Sequence, residues 1–160
     1  LCIRLCGSTA DAQDATQETF IKAWSALGTF REDSAFSTWL HRIAYNEAVG
    51  LMRRQSHKDA HLQVVDEGVS SSKASALSDL DQLEQALTGL PDRAREAVVL
   101  HKIFGYSHEE TADFMGITAG ASKAQVHRAI QLLRDRFPDG LLDVESNPQV
   151  NVSGGVSRRE

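Results

Sequence analysis

The sequence lacks most features that identify membrane, secreted or metal-binding proteins. It contains two cysteines, Cys2 and Cys6, and no second pair of Cys or His residues stands at ligand spacing elsewhere. No apolar run approaches the ~20 residues that cross a bilayer, and the first residues lack the apolar segment and cleavage site of a signal peptide. We therefore expect a cytoplasmic protein without membrane insertion, metal or cofactor.

The chain also lacks an excess of basic residues, since its formal net charge is −5. A negative total argues against binding to nucleic acid, so the distribution of charge matters more than its sum. The acidic excess lies mainly in residues 56–89 and in the tail after residue 137, whereas residues 1–55 and 90–137 are nearly balanced. Either balanced region could therefore still bind nucleic acid.

Two helices are predicted in residues 1–55. Because the chain begins with Leu1 partway through an apolar pattern, we expect that an upstream part of this region is absent. The first helix has capping groups near Ser8 and an apolar stripe at helical spacing: Phe20, Ala23, Trp24 and Leu27. The second begins at Ser34 or Ser37 and continues as far as Leu51 and the basic pair Arg53 and Arg54.

Residues 79–137 predict a second helical domain. Ser107 and Glu110 form a capping-box pattern at the start of a short helix, Gly116 ends it, and a longer helix then runs from about Ala119 to Phe137. A short helix, a tight turn and a long helix are typical of a helix-turn-helix. We predict an all-α protein of two small helical domains, 1–55 and 79–137, with a flexible linker at 56–78 and a disordered tail at 138–160.

The last predicted helix carries most of the basic charge of its domain. Its basic residues, Lys123, Arg128, Arg134 and Arg136, stand against one acidic residue, Asp135. In a helix-turn-helix the second helix enters the major groove of DNA, with basic side chains on the flanking phosphates. An ordinary solvated helix has a similar pattern, so charge alone leaves both interpretations open.

Both regions resemble parts of one family. The segment DAQDATQETFIKAWSALGTFREDSAFSTWLHRIAYNEAVGLMRRQ resembles region 2 of bacterial sigma factors of the extracytoplasmic-function group, and LPDRAREAVVLHKIFGYSHEETADFMGITAGASKAQVHRAIQLLRDRF resembles their region 4. The resemblance implies a dissociable subunit, not itself an enzyme, that binds core RNA polymerase, recognises promoter DNA and helps to open the duplex. It also implies an anti-sigma factor as a partner.

The resemblance assigns three sets of site residues. A coiled coil of the largest polymerase subunit would meet Asp14, Gln17, Glu18 and Phe20. The upstream promoter element and the flipped bases of the nontemplate strand would meet Phe30, Arg31, Phe36, Trp39, Asn46, Arg53 and Arg54. The minus-thirty-five element would meet Lys123, Gln125, His127 and Arg128.

Helical spacing qualifies some of these assignments. It places Trp24, Phe36 and Trp39 in the core. We therefore expect the polar residues of this set to contact DNA before any aromatic residue does: Arg31, Asn46, Arg53 and Arg54. His127 is the least secure reader of DNA because it stands beside the apolar stripe of its helix.

The chain departs from the family pattern in its recognition helix and at two other positions. The family commonly has Gly-Thr-Val-Lys-Ser-Arg where this chain has GASKAQ, residues 120–125. Lost polar groups predict weaker or altered promoter recognition, with Gln125 suited to an adenine edge. Gly50 and Thr111 replace a common Asp and a common aliphatic residue, which predicts a cost in stability.

Two other functions remain as alternatives. A helix-turn-helix regulator that binds duplex DNA without polymerase would explain the second domain but leaves FREDSAFSTWLHRIA without a role. A hydrolase would have to use His101, His108, Glu109 and Glu110, which lack the HExxH spacing of a metalloprotease and have no nucleophile motif beside them.

Overall fold

The computed structural model describes residues 1–62 and 79–136, and in this part of the chain every regular element is helical. Its α-helices are α1 (Cys2–Cys6), α2 (Thr9–Ala26), α3 (Phe36–Leu62), α4 (Asp79–Thr88), α5 (Asp92–Val98), α6 (His108–Met115) and α7 (Ala119–Arg136). A 3₁₀ turn, Leu27–Thr29, follows α2, and a π-helical turn, Val99–Ile103, continues α5. The predicted all-α class is confirmed.

Local capping chemistry sets several helix boundaries where the sequence predicted them. The Ser8 hydroxyl accepts a hydrogen bond from the Asp11 N–H at 3.4 Å and begins α2. In α6, the Ser107 hydroxyl accepts from the Glu110 N–H, and the Glu110 carboxylate accepts from the Ser107 N–H at 2.8 Å. Gly116 ends α6 with a φ of 63°, a left-handed conformation that glycine adopts without strain.

The third helix extends beyond its predicted end. It continues to Leu62, seven residues into the segment 56–78 that we predicted as a flexible linker. Residues 51–62 contain neither Gly nor Pro, so nothing in this part of the chain breaks the helix even though its apolar periodicity fades. The rest of the predicted linker, Phe137 and the predicted tail at 138–160 lie outside the described residues.

The two helical regions pack against each other. One continuous buried cluster includes Leu5 of α1, Val49 of α3, Leu87 of α4 and Leu100 after α5. The close approach is visible at Gly7, where a Cβ atom would lie 3.0 Å from Cγ2 of Thr88, and the φ of this glycine is 72°. The sequence, which shows two motifs with a polar segment between them, did not predict this shared core.

Thr111 is a weak point within the core. Its side chain is fully buried in α6, and its hydroxyl oxygen has no hydrogen-bond partner among the described residues. Burying a hydroxyl group without a partner costs free energy, whereas a methyl group of the same size would not. The predicted cost of Thr111 thus has a structural cause.

Thr111→Val should therefore raise the free energy of unfolding by about 1 kcal/mol or more. The same substitution at Thr118 is the matched control, because the Thr118 hydroxyl accepts a hydrogen bond from the Ala121 N–H at the start of α7. Thr118→Val should lower the free energy of unfolding by about 1 kcal/mol. Urea denaturation followed by circular dichroism measures both changes, and a loss of stability in Thr111→Val would contradict the assignment.

Candidate binding surfaces

Helix α2 buries its small residues and exposes its large apolar ones. Its buried residues are Ala12, Ala15, Thr19 and Ala23. The opposite side presents large apolar side chains to solvent, with Phe20 61%, Ile21 52%, Trp24 81% and Leu27 46% exposed. The prediction that Trp24 belongs to the core is wrong.

The physical cause is the close packing of α2 against α1 and α3. Small side chains allow helix axes to approach closely, and the buried positions of α2 are separated by three or four residues, which places them on one face. On the edge toward α3, the Lys22 ammonium bonds the Glu47 carboxylate at 2.6 Å. Since this face is occupied by small residues, Trp24 lies on the opposite side of α2 and is not buried by any of the described residues.

The predicted polymerase-binding residues lie on or beside this exposed apolar strip. Asp14, Gln17, Glu18 and Phe20 are all exposed on α2. At 100° per residue, Asp14 and Glu18 lie along one side of the strip, whereas Phe20 is one of the residues of the strip. We call the strip and its borders the α2 face: Asp14, Gln17, Glu18, Phe20, Ile21, Trp24 and Leu27.

A second exposed group is an aromatic cluster at the start of α3. The rings of Phe30, Phe36 and Trp39 lie 5.3–5.6 Å apart, centroid to centroid. Phe36 is 49% exposed, and none of the three belongs to the buried core cluster. The expectation that Phe36 and Trp39 are core residues is therefore wrong, because they pack on one another at the surface.

The other predicted region 2 contacts follow the aromatic cluster along α3. Trp39, Asn46 and Arg53 are separated by seven residues each, so they form one line on the helix surface. Asn46, Arg53 and Arg54 are exposed. We call this line, with the aromatic cluster at its start, the α3 face.

Arg31 lies in the loop before α3. Its guanidinium bonds the Asp33 carboxylate at 3.1 Å, and both side chains are largely exposed. Such a pair contributes little to stability, so the guanidinium can exchange this carboxylate for a phosphate group.

Helix α7, the predicted recognition helix, buries its apolar residues and exposes most of its polar ones, largely as predicted. Val126, Ala129 and Leu133 are buried, whereas Lys123, His127 and Arg128 are exposed and Gln125 is half-buried. His127, the least secure of the four, therefore points away from the core.

A pair of histidines joins α7 to the preceding elements. The rings of His101 and His108 stack with their centroids 4.0 Å apart, and Nδ1 of His108 lies 3.3 Å from the buried hydroxyl of Ser122 in α7. Burial lowers the pKa of His108 below its ordinary value of 6.5, and the nearby His101 and Lys123 lower it further. Sequence reasoning considered these histidines only as hydrolase candidates and missed this packing role.

Residues 1–62 and 79–136 contain neither a candidate metal site nor a candidate membrane span. No three Cys, His, Asp or Glu side chains there converge on a point where a metal ion could bind. Within the same residues, no helix has the combination of length and apolar character needed to cross a bilayer.

Comparison with known families identifies both halves of the chain. Residues 1–58 match the model of Sigma-70 region 2, and residues 80–133 match that of Sigma-70, region 4. The chain belongs to the sigma-70 family. The predicted resemblance to its extracytoplasmic-function (ECF) group is confirmed as well, because curated relatives carry that name.

Relatives of this sigma factor align over most of their length. The ECF RNA polymerase sigma factor SigW of Bacillus subtilis is 31% identical over 87% of this chain and 82% of its own. The RNA polymerase sigma factor CarQ of Myxococcus xanthus is 35% identical over 88% and 83%.

A solved structure of the sigma factor RpoE from Bartonella quintana, in complex with the anti-sigma factor NepR, is similar to the structure of this chain. The TM-score of the pair is 0.68, and their sequences are 31% identical. The match covers 91% of this sigma factor and 89% of RpoE. The likeness therefore extends over both helical regions.

The histidine pair predicts acid sensitivity of this sigma factor. Because the fold lowers the pKa of His108, the folded state favours the neutral ring, and protonation costs stability as the pH falls below about 6.5. Urea denaturation at about pH 7.5 and about pH 5.5 should show a lower free energy of unfolding at the acid pH.

His108→Gln should reduce this difference. It should not abolish the difference, since burial also lowers the pKa of His41. The same pH dependence in wild type and variant would contradict the assignment.

Proposed function

We propose that this sigma factor uses three separate surfaces in transcription initiation: the α2 face for core RNA polymerase, the α3 face for the opened promoter, and α7 for the minus-thirty-five element. The observation that carries the proposal is the exposure of Trp24, at 81% of its side chain, in the middle of an apolar strip. A helix-turn-helix regulator that acts without polymerase gives this strip no role. We further propose that the chain acts in the cytoplasm and is not itself an enzyme.

The chemistry of the α2 face fits a helical partner with basic side chains. Trp24 and Ile21 supply apolar area at the centre of the face, where binding energy is concentrated in protein interfaces. The carboxylates of Asp14 and Glu18 lie on its border, where opposite charge on the partner sets orientation and association rate. A coiled coil of the largest polymerase subunit, as implied by the family, matches these requirements.

Substitutions at the apolar centre of the α2 face should weaken binding to core polymerase and leave the stability of the fold unchanged. Ile21→Ala with Trp24→Ala should weaken the affinity for core polymerase at least about tenfold, because exposed aromatic anchors of this kind are worth about 2 kcal/mol or more. The free energy of unfolding should stay within about 0.5 kcal/mol of wild type, since surface substitutions cost little.

The matched control is Leu132→Ala, which removes another exposed apolar side chain, 38% exposed, from α7. Its affinity for core polymerase should equal that of wild type. Fluorescence anisotropy of labelled chain against core enzyme measures both variants. Equal affinities of the double variant and wild type would refute the α2 face as the docking site.

The α3 face supplies what single-strand binding requires. Proteins that hold single strands combine aromatic platforms with cations along the backbone. Here the half-buried ring of Phe30 and the exposed ring of Phe36 lie at one end of the face, and the guanidinium groups of Arg53 and Arg54 lie further along α3. Asn46 stands between them with an amide that can pair with a base edge.

Helix α7 makes the contacts with the promoter duplex in this proposal. Lys123 and Arg128 provide charge for phosphates or guanine edges, and Gln125 can pair with adenine through two hydrogen bonds. We also propose that an anti-sigma factor binds this chain, because the matched RpoE structure contains one.

A double variant of α7 tests the duplex contacts in the full chain. Gln125→Ala with Arg128→Ala should weaken binding to promoter duplex at least about tenfold, since one good base contact is worth about 1–3 kcal/mol. Promoter fragments selected by run-off transcription serve as probes. Arg134→Ala, which removes an exposed arginine further along α7, should have a smaller effect. Unchanged affinity of the double variant would exclude this surface as the reader.

A further inference from the structure

Each ring of the histidine pair, His101 and His108, is held by one nitrogen and leaves the other for an outside partner. Nδ1 of His101 lies 2.8 Å from the backbone oxygen of Tyr106 and donates to it, because a carbonyl oxygen can only accept. Nδ1 of His108 lies 3.3 Å from the Ser122 hydroxyl. Neither Nε2 has a hydrogen-bond partner in the described parts of the chain. Nε2 is therefore the nitrogen of each ring that a ligand can meet.

The two rings present their free nitrogen atoms from one stack. Their planes are 19° apart with the centroids 4.0 Å apart, and both side chains are half-buried, so the pair reaches solvent. Groups this close titrate as a unit, and two positive charges at this distance repel each other. The pair can therefore carry one proton readily but not two.

Charged side chains surround the pair on the elements that pack against it: Lys102 in the π-helical turn, Glu109 in α6 and Lys123 in α7. Tyr106 of the intervening loop offers its backbone oxygen to the pair, while its hydroxyl lies 2.8 Å from Nδ1 of His41 in α3. Burial lowers the pKa of His108 most, the two lysines and His101 lower it further, and the Glu109 carboxylate raises it. The free chain thus keeps His108 neutral at about pH 7.

The pair lies where a duplex bound by α7 would pass. Ser122, which contacts His108, directly precedes Lys123, one of the residues predicted to meet the minus-thirty-five element. In helix-turn-helix complexes the second helix enters the major groove, and the first helix crosses the sugar–phosphate backbone. His108 is the first residue of α6, which is the first helix of this motif. A phosphate group of the duplex would thus approach the pair.

A phosphate beside the pair would change its protonation. A neutral ring whose Nδ1 carries the hydrogen has a lone pair on Nε2, which repels a phosphate oxygen. A protonated ring donates a charge-assisted hydrogen bond from Nε2 to the same oxygen. The negative charge in turn raises the pKa of the ring. Binding of phosphate and uptake of a proton therefore favour each other.

We propose that the histidine pair binds a phosphate group of the promoter backbone and takes up one proton from solvent as it does so. The inference rests on the proposed function of α7 and adds a phosphate site outside that helix. Duplex binding should then strengthen as the pH falls, because the bound state holds more protons than the free state. A pair that only packs α6 against α7 would show no such linkage.

The test compares the affinity of the full chain for promoter fragments, selected by run-off transcription, at about pH 7.5 and about pH 6.0. Fluorescence anisotropy measures binding, and circular dichroism verifies that each form is folded at both pH values. Wild-type affinity should rise about fivefold at the lower pH, since binding takes up nearly one proton. His101→Gln with His108→Gln, which places polar side chains that do not titrate, should lose most of this rise.

Salt dependence gives a second measurement on the same two proteins. Each phosphate contact with a cation releases about one counterion from the duplex. At about pH 6.0 the slope of log affinity against log salt concentration should be steeper by about one in wild type than in the double variant. At about pH 7.5 the two slopes should be closer, because fewer of the wild-type chains carry the proton.

Two further variants serve as rescue and control. His108→Arg supplies a permanent planar cation that can stack on the His101 ring. It should bind at about pH 7.5 about as tightly as wild type binds at about pH 6.0, with little dependence on pH. His127→Gln is the matched control, because it removes an exposed ring of α7 that lies outside the pair. It should keep the rise in affinity.

The proposal would be overturned by a double variant that keeps the wild-type rise in affinity, or that weakens binding equally at both pH values. A rise that disappears in His127→Gln instead would overturn it as well. Should the double variant not fold, full pH dependence in His108→Arg would have the same meaning. If Gln125→Ala with Arg128→Ala bound as tightly as wild type at both pH values, the proposed function of α7 would be refuted instead, so the two failures are distinguishable.

Discussion

Close packing of α2 through small residues is the constraint on which the functional surface of this sigma factor depends. Ala12, Ala15, Thr19 and Ala23 let α2 approach its neighbours, and they occupy the face of the helix that residues 1–62 and 79–136 bury. The large apolar residues of the same helix must then face solvent. An exposed Trp24 is unfavourable for an isolated chain, and burial against a partner would recover the free energy of its transfer from water. The fold and the proposed binding surface are therefore set by the same choice of residues.

A second consequence of the packing concerns the relation between the two helical regions. They share a buried cluster, yet the interface also contains Arg95, Glu96 and Tyr45, which a permanent core would not need. Apolar contacts give the interface its stability, while buried charge reduces it.

Much of the local structure could be predicted from the sequence because it depends on neighbouring residues. Ser8, the capping box of Ser107 and Glu110, and the left-handed Gly116 act within one helical turn, and the helix-turn-helix follows from them. Helix α3 extends past its predicted end because fading apolar periodicity does not end a helix in a segment that lacks Gly and Pro. Domain limits in residues 63–78 and after residue 136 stay predictions.

The candidate sites were harder to predict, since they depend on which face of a helix finds a partner. Helical spacing predicted that Trp24, Phe36 and Trp39 lie in the core, because large apolar residues usually are buried. In α2, however, the spacing of the small residues indicates which face of the helix is buried. Contacts between distant residues, such as Tyr45 with Glu96, leave no periodic signal in either segment. The family resemblance predicted four residues of the α2 face and all those of the α3 face. The structure shows that the four on α2 are exposed, whereas Phe30 and Trp39 of the α3 face are half-buried.

Site-specific photo-crosslinking tests the central claim most directly. A photoreactive phenylalanine analogue in place of Trp24, in the full chain mixed with core RNA polymerase, should form a cross-link to the largest polymerase subunit. The same analogue in place of Leu132 should not cross-link to the coiled coil of that subunit. Absence of a cross-link from the position of Trp24, in a chain that nevertheless associates with the polymerase, would contradict the account.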